Sequence, residues 1–206
     1  DIRDHAVLPV VVIEDADRAL DIADALAGGG LPLAEITFRT PAAASAIRAL
    51  TEHRPDLLVG AGTITNVQEA EAAVAAGSRF LVSPGLSSDV VAYAGSVGLP
   101  IIPGVQTATE IMAATAMGVE VLKFFPAAIS GGAAALSSLA GPFPGTRFVP
   151  TGGIGPADLR TYLELPNVWA CGGTWLTPPD EVADGRFDLI SELAAEAVGL
   201  VRLAGR

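Results

Sequence analysis

Short apolar segments alternate with alanine-rich amphipathic segments along the whole chain, and this alternation restricts the possible folds more than any other feature. The apolar segments are rich in β-branched residues and begin roughly 20 to 30 residues apart, which leaves room for a helix and two short loops. Eight such units predict parallel strands joined by right-handed helical crossovers. The predicted strands span residues 8–13, 34–39, 57–62, 79–84, 100–105, 119–126, 147–153 and 168–176.

Helix boundary signals fall in the intervals between these strands. Thr107 precedes Glu110 by three residues, the spacing of a capping box, and Asn66 also has a glutamate three residues later. Thr40 stands before a proline, which predicts a helix cap followed by proline at the first helical position. The final helix is predicted to run from about residue 187 to about residue 203.

Two architectures suit eight βα units: a closed (β/α)8 barrel of the TIM type and an open doubly wound sheet. The nearly even spacing favours the barrel, and no G-x-G-x-x-G motif follows the first strand, which weakens the dinucleotide-binding alternative. The length of 206 residues suits one domain. We therefore predict an α/β protein in which residues 1–206 form a single (β/α)8 TIM barrel, with its site at the carboxyl ends of the strands.

Acidic residues outnumber basic residues by 23 to 12, and the formal net charge is −11. A chain of this charge repels a polyanionic backbone, so nucleic acid is disfavoured as a partner. No stretch reaches the roughly 18 uninterrupted apolar residues of a membrane-spanning helix, and the charged opening residues are unlike a signal peptide. We expect a soluble intracellular protein with no membrane partner.

Cysteine and histidine are scarce. Cys171 is the only cysteine, which excludes an internal disulfide and favours a reducing, cytoplasmic compartment. Because Cys171 lies in an apolar segment, we interpret it as a small core residue and not as a reactive thiol. The only histidines, His5 and His53, are far apart in the sequence, so a histidine-rich metal site is not expected.

Lys123 is the only lysine in the chain, alongside eleven arginines, and it lies inside a strongly apolar predicted strand. Loss of hydration in such a strand disfavours the charged ammonium form. A neutral amine can attack a carbonyl carbon, whereas a guanidinium group cannot. A lysine at a strand end can also extend its amine to solvent, but the position of Lys123 favours a covalent nucleophile.

Alternation along the strands predicts which side chains share the barrel interior. Residues two apart lie on one face of a strand, so Glu35 and Arg39 share a face, and the apolar residues between them face the helices. The same reasoning brings Lys123 and Thr151 to the interior near the same rim. Glu35 is the candidate acid–base beside the amine, and its alternative role is an ion pair with Arg39. The planar fork of Arg39, helped by the hydroxyl of Thr63, suits a substrate carboxylate.

Paired glycines end the last two predicted strands. Gly152 and Gly153 end the seventh strand, and Gly172 and Gly173 precede Thr174 near the end of the eighth. Backbone N–H groups that side chains do not cover form an anion-binding nest, and barrels often bind phosphate after strands seven and eight. These turns predict a phosphate site that needs no basic patch.

Taken together, these segments resemble the family of 2-dehydro-3-deoxy-phosphogluconate (KDPG) and 4-hydroxy-2-oxoglutarate (KHG) aldolases. The matching motifs run in family order through nearly the whole chain. They are LPVVVI at 8–13, EITFRT at 35–40, VGAGT at 59–63, SPG at 83–85, IPG at 102–104, KFFP at 123–126, PTGGI at 150–154 and GGTW at 172–175.

The resemblance implies a homotrimer of (β/α)8 barrels that uses no metal and no cofactor, a Schiff base on Lys123, and pyruvate as one product. It implies Glu35 as general acid–base, and it assigns the remaining site residues to three groups. These groups are Arg39 and Thr63 at the carboxylate, Pro84, Phe125 and Thr151 along the pocket, and Gly152, Gly153, Gly173 and Thr174 at the phosphate. Thr174 replaces a serine of the family pattern but keeps the hydroxyl.

Several alternatives remain open. A family branch acting on the galactonate epimer is similar overall but lacks the E-x-T-x-R-T motif and the threonine before Gly-Gly, both of which this chain has, so the gluconate substrate is favoured. Cleavage of unphosphorylated 4-hydroxy-2-oxoglutarate is a further alternative. A metal-dependent aldolase would need a cluster of carboxylates and histidines, which this sequence does not show. An isomerase or synthase on the same barrel would keep the glycine pairs but would not require the buried amine. A non-catalytic barrel that only binds sugar phosphates would tolerate Lys123→Arg.

Overall fold

A computed structural model describes residues 1–206 and contains nine strands, all paired in parallel. The strands are β1 (Val7–Val11), β2 (Leu33–Thr37), β3 (Leu58–Gly62), β4 (Leu81–Val82), β5 (Ile101–Ile102), β6 (Gly104–Val105), β7 (Val121–Phe124), β8 (Arg147–Pro150) and β9 (Cys171–Gly173).

Ten α-helices accompany the strands, and most of them lie between two consecutive strands. They are α1 (Ile2–His5), α2 (Ala19–Gly28), α3 (Ala43–His53), α4 (Val67–Ala75), α5 (Ser88–Ser96), α6 (Ala108–Ala116), α7 (Gly132–Ala140), α8 (Pro156–Leu163), α9 (Pro179–Ala183) and α10 (Phe187–Leu203). Short 3₁₀ turns occupy Ala16–Arg18 and Ala128–Ser130. None of the helices has the length and apolar character needed to cross a lipid bilayer.

The parallel sheet is curled. One ladder runs in the order β5-β4-β3-β2-β1-β9 and a second in the order β6-β7-β8. Two isolated bridges, Phe148 with Val168 and Thr151 with Gly172, place β8 beside the segment that contains β9. The predicted strand 100–105 is divided into β5 and β6 at Pro103, which has no N–H to donate to a ladder. Strand–helix alternation and parallel pairing are therefore confirmed.

The core lies on both faces of the sheet. Every residue of β1 and β2 is buried, as expected of parallel strands with helices on the outer face and side chains packed inside. In α2 the buried residues include Ala19, Ile22, Ala23 and Leu26, spaced so that they form one face. A β-carbon at Gly29, just after α2, would overlap α10, so the glycine allows these two helices to pack closely.

The predicted helix boundaries have mixed outcomes. The capping box of Thr107 and Glu110 is confirmed at α6, and α10 spans the predicted residues. The Asn66 side chain accepts a hydrogen bond from the N–H of Glu69, as predicted. The Glu69 carboxylate, however, accepts from the N–H and hydroxyl of Thr65 and not from the N–H of Asn66, so the capping box is incomplete. The cap at Thr40 was wrong, because α3 begins at residue 43 and the Thr40 hydroxyl donates to the carbonyl of Ile13. The predicted strand 168–176 shortens to 171–173.

Candidate active site

Lys123 and Glu35 meet inside the curled sheet. Lys123 lies on β7 and Glu35 on β2, which are not neighbours in either ladder, so their side chains meet across the interior. The Nζ of Lys123 is 3.5 Å from Oε1 of Glu35, and the two side chains are only 3% and 1% exposed. The predicted convergence of these two residues is therefore seen, with both groups withdrawn from solvent.

Glycine makes room for the Glu35 carboxylate. A β-carbon at Gly62, on the neighbouring strand β3, would overlap Oε1 of Glu35. Oε2 of Glu35 is buried and has no hydrogen-bond partner among the protein's own groups. A buried carboxylate oxygen without a donor is costly in a structural ion pair but is suited to exchanging a proton with a bound molecule. Sequence analysis missed Gly62, although glycine within a buried strand indicates close approach of another group.

Phe125 lies on the other side of the amine, with its ring centroid 5.0 Å from Nζ of Lys123. An aromatic face at this distance stabilises a cationic nitrogen. The same ring is the neighbour of Gly152, where a β-carbon would lie 3.2 Å from it. Phe125 therefore forms a wall between the amine and the glycine turn after β8.

Arg39 and Thr63 form a pair just beyond the ends of β2 and β3. Nε of the exposed Arg39 donates to Oγ1 of Thr63 at 3.3 Å. The alternative ion pair between Arg39 and Glu35 is absent, because Glu35 turns inward to Lys123. Thr63 has a φ of 59°, in the left-handed region that a β-branched residue rarely adopts. Such strain is found mainly where surrounding structure holds a residue in a functional position.

Thr151 and Pro84 are also at this end of the sheet. Thr151 is 5% exposed, and its hydroxyl occupies the space beside Gly172, where a β-carbon would overlap it. Pro84 follows β4, and its carbonyl group packs so closely on Gly104 that no β-carbon would fit there. Because Gly104 is the register partner of Lys123, this contact brings the end of β4 beside the strand pair that carries the lysine.

The two glycine pairs lie side by side through the bridge between Thr151 and Gly172; Gly152 and Gly153 form the turn after β8, whereas Gly172 and Gly173 end β9. Gly152 and Gly153 have φ values of 97° and 73°, and neither donates its N–H to an acceptor within the protein. Gly173 is covered by the Trp175 ring, while Thr174 is exposed. The turn after β8 therefore offers unused backbone donors, and the end of β9 adds the exposed hydroxyl of Thr174, which together have the composition of an anion-binding nest.

The remaining candidate groups lie outside this site. Cys171 is fully buried, and burial raises the pKa of its thiol well above the ordinary range, in agreement with a core role. His53 lies at the end of α3 and bonds its own helix, and His5 ends α1. No group of three or more histidine, cysteine, aspartate or glutamate side chains has the arrangement of a metal site.

Comparisons with known proteins agree on one family. A family model described as KDPG and KHG aldolase matches residues 1–193. A 2-dehydro-3-deoxy-phosphogluconate aldolase of Treponema pallidum (strain Nichols) is 46% identical over 195 residues, covering 95% of this chain and 93% of the relative.

Solved structures of the same kind are also similar. A KDPG aldolase from Legionella pneumophila, with pyruvate captured as a covalent carbinolamine, superposes with a TM-score of 0.93 at 39% identity, covering 95% of each chain. The 2-keto-3-deoxy-6-phosphogluconate aldolase of Zymomonas mobilis ZM4 with 3-phosphoglycerate has a TM-score of 0.89 at 41% identity, covering 97% of this chain and 93% of the other.

Proposed function

The chain belongs to the KDPG and KHG aldolase family, and we propose that it cleaves 2-dehydro-3-deoxy-6-phosphogluconate to pyruvate and D-glyceraldehyde 3-phosphate through a Schiff base on Lys123. The observation that carries the proposal is the buried contact of 3.5 Å between the Lys123 amine and the Glu35 carboxylate. The Legionella relative holds pyruvate as a covalent carbinolamine, which supports the same chemistry here.

The reaction begins when the Lys123 amine, having passed a proton to Glu35, attacks the C2 keto carbon of the substrate. Glu35 then gives a proton to the carbinolamine hydroxyl, and water leaves to form an iminium ion. The iminium accepts electrons, so the C3–C4 bond breaks while Glu35 takes the proton of the C4 hydroxyl. D-Glyceraldehyde 3-phosphate leaves, the enamine is protonated at C3, and hydrolysis releases pyruvate and the free amine. No step requires a metal or another cofactor.

The two ends of the substrate are anionic and are held by different means. Arg39 and Thr63 would bind the carboxylate through a charge-assisted hydrogen bond and a hydroxyl. Gly152, Gly153, Gly173 and Thr174 would bind the phosphate through backbone N–H groups and a hydroxyl. The Zymomonas relative with 3-phosphoglycerate, which carries a carboxylate and a phosphate, supports a site for both groups.

Pro84, Phe125 and Thr151 would line the space between these ends. Phe125 lies between the lysine and the glycine turn, so its ring can shield the reacting carbons from water. Exclusion of water matters because the iminium and enamine intermediates are reactive.

We also infer that the curled sheet closes into a single-domain (β/α)8 barrel over residues 1–206. Two observations support closure of the two ladders into one ring. The isolated bridges join β8 to the segment that contains β9, and β6 follows β5 directly in the chain, so each ladder is connected to the other at both ends. A closed ring would explain how β2 and β7 bring their side chains together.

A homotrimer is proposed on the basis of the resemblance. The sequence from residue 86 to residue 146 has only four charged residues. Two apolar side chains in this stretch are largely exposed to solvent, Met112 on α6 (63% exposed) and Ile129 in the turn after β7 (85% exposed). Copies with a net charge of −11 repel one another, so the surface of this nearly uncharged part of the chain is where they can associate at least electrostatic cost. A cytoplasmic location is proposed from the single buried cysteine, which suits a reducing compartment.

The decisive experiment is borohydride reduction in the presence of pyruvate. Because Lys123 is the only lysine, a permanent mass increase can be assigned to it by peptide mapping. The wild-type protein should gain this mass, and Lys123→Arg should not. Absence of the adduct in the wild type would reject the Schiff-base mechanism and leave the sugar-phosphate-binding alternative.

Substrate identity is tested separately by steady-state turnover. The rates on 2-dehydro-3-deoxy-6-phosphogluconate, its C4 epimer and 4-hydroxy-2-oxoglutarate should be compared. We expect the highest kcat/KM on the gluconate compound. The unphosphorylated acid would leave the donors of Gly152 and Gly153 unused, and the galactonate branch lacks the E-x-T-x-R-T motif that this chain has. A higher kcat/KM for either of the other two compounds would reassign the substrate without changing the mechanism.

A further inference from the structure

Gln106 follows the last residue of β6, and its side chain reaches the turn after β7, the strand that carries Lys123. Gly104 is the register partner of Lys123, so residue 106 continues the face of β6 that Lys123 shares on β7. Nε2 of Gln106 lies 2.9 Å from Oγ of Ser130, in the 3₁₀ turn after β7. The glutamine therefore connects the end of β6 with the turn after β7, the strand that carries the lysine.

The hydrogen bonds around Ser130 determine which way the Gln106 amide faces. Oγ of Ser130 donates its single proton to the carbonyl of Pro126 at 2.6 Å. The hydroxyl oxygen can then only accept, so the NH₂ group of Gln106 must face it. Oε1 of Gln106 is left on the opposite side of the amide, where it has no donor from the protein.

The backbone of Gln106 is held equally firmly. Its N–H and the N–H of Thr107 both donate to the Glu110 carboxylate at 2.8 Å, as part of the capping box of α6. A side chain fixed at its backbone and at its amide nitrogen presents its remaining oxygen at low entropic cost. Gln106 is therefore a preorganised hydrogen-bond acceptor beside the turn that follows the strand of Lys123.

The turn that carries Ser130 also borders the proposed phosphate site. The N–H groups of Ala127 and Ala128 donate to the carbonyls of Thr151 (2.8 Å) and Gly152 (3.0 Å). One edge of this turn thus contacts the glycine turn and the other contacts Gln106. A substrate that extends from Lys123 to Gly152 passes along this turn.

We propose that Oε1 of Gln106 accepts a hydrogen bond from the C5 hydroxyl of the substrate and makes Gln106 a specificity-determining residue. The proposal rests on the proposed function, which assigns C1 to Arg39, C2 to Lys123, the C4 hydroxyl to Glu35 and the phosphate to the glycine turns. Only the C5 hydroxyl has no partner in that assignment. A carbonyl oxygen accepts but cannot donate, so it suits a hydroxyl and repels a phosphate.

The test uses the reverse reaction, in which pyruvate condenses with an aldehyde. D-Glyceraldehyde 3-phosphate carries the hydroxyl that becomes the C5 hydroxyl, and 3-oxopropyl phosphate lacks only that group. Gln106→Ala should lower kcat/KM for D-glyceraldehyde 3-phosphate roughly two- to twelvefold, the range of one neutral hydrogen bond, and should leave kcat/KM for 3-oxopropyl phosphate unchanged. Gln68, the only other glutamine, is exposed on α4, so Gln68→Ala is the matched control.

Each other outcome overturns the proposal. Unchanged kcat/KM with both aldehydes would mean that Gln106 does not contact the substrate, and equal losses with both would mean that it only supports the rim. Pyruvate lacks C4 to C6, so borohydride trapping on Lys123 should be the same in Gln106→Ala and in the wild type. If the wild type itself is not trapped, the proposed function fails; if it is trapped and the aldehydes are not discriminated, only the role of Gln106 fails.

Discussion

Oε1 of Glu35 occupies the space that a side chain at Gly62 would need, so the position of the acid–base depends on the absence of a β-carbon one strand away. Glu35 therefore supplies the acid–base group, and Gly62 determines where that group lies. Each of the two contributions can be tested by substitution.

Gly62→Ala should displace the Glu35 carboxylate from the Lys123 amine. A misplacement of about 1 Å can reduce turnover roughly a hundredfold, so we expect a loss of that order in kcat. Gly95→Ala is the matched control, because Gly95 is exposed on α5 with open space around it, and alanine there should stabilise the helix by about 0.5–1 kcal/mol. Normal kcat in Gly62→Ala would show that the carboxylate position is not critical.

Glu35→Gln preserves the shape of the side chain and removes its ability to take a proton. General acid–base catalysis contributes about 10²–10⁴-fold, and we expect kcat to fall by that range. Circular dichroism should show the native fold, and Glu52→Gln, an exposed glutamate on α3, should have the activity of the wild type. Turnover close to normal would remove Glu35 from the assigned role.

Arg39→Gln should weaken binding of the substrate carboxylate. Hydrogen bonds to charged groups contribute about 1.5–3 kcal/mol, which corresponds to roughly a ten- to hundredfold rise in KM. Because Arg39 is exposed, the free energy of unfolding should change little. Arg48→Gln, an exposed arginine on α3, is the control, and equal KM values in the two variants would contradict a carboxylate site at Arg39.

Thr63→Gly should make the protein more stable and less active. The left-handed backbone of Thr63 costs about 1–3 kcal/mol, and glycine removes that strain while adding about 0.5–1 kcal/mol of chain entropy. We expect the free energy of unfolding, measured with urea, to rise by roughly 1 kcal/mol while kcat/KM falls. A less stable variant would mean that the threonine is not strained.

Glu110 couples the stability of α6 to pH. Hydrogen bonds from the backbone N–H of Gln106, and then from that of Thr107, lower the pKa of the Glu110 carboxyl below its ordinary value. A lowered folded-state pKa stabilises the protein above the unfolded-state pKa, and this stabilisation is lost as the pH falls through the folded-state pKa. Glu110→Gln should therefore reduce the free energy of unfolding at pH 7, and the difference from the wild type should shrink at pH 3. If Glu110→Gln reduced the free energy of unfolding by the same amount at pH 7 and pH 3, the stabilisation would not depend on the charge of the Glu110 carboxylate.

Local sequence chemistry determined much of this protein. The succession of strands and helices follows from side-chain alternation and helix periodicity, and the cap at Thr107 follows from a side chain that satisfies nearby backbone groups. The nucleophile could be nominated because a single lysine lies in an apolar strand. All of these features depend on residues that are close in the sequence.

Only the tertiary structure decided which side chains contact one another across the interior of the sheet. Side-chain alternation predicted that Glu35 and Lys123 face the interior near one rim, and it left open an ion pair between Glu35 and Arg39. The structure shows the contact with Lys123, 88 positions away, for which Gly62 leaves space. The contact of Gln106 with Ser130 likewise depends on how β6 and β7 are registered. Long-range packing set these positions, since the space left by one strand is filled by a side chain from another. The sequence shows the glycine that leaves the space but not which distant side chain fills it.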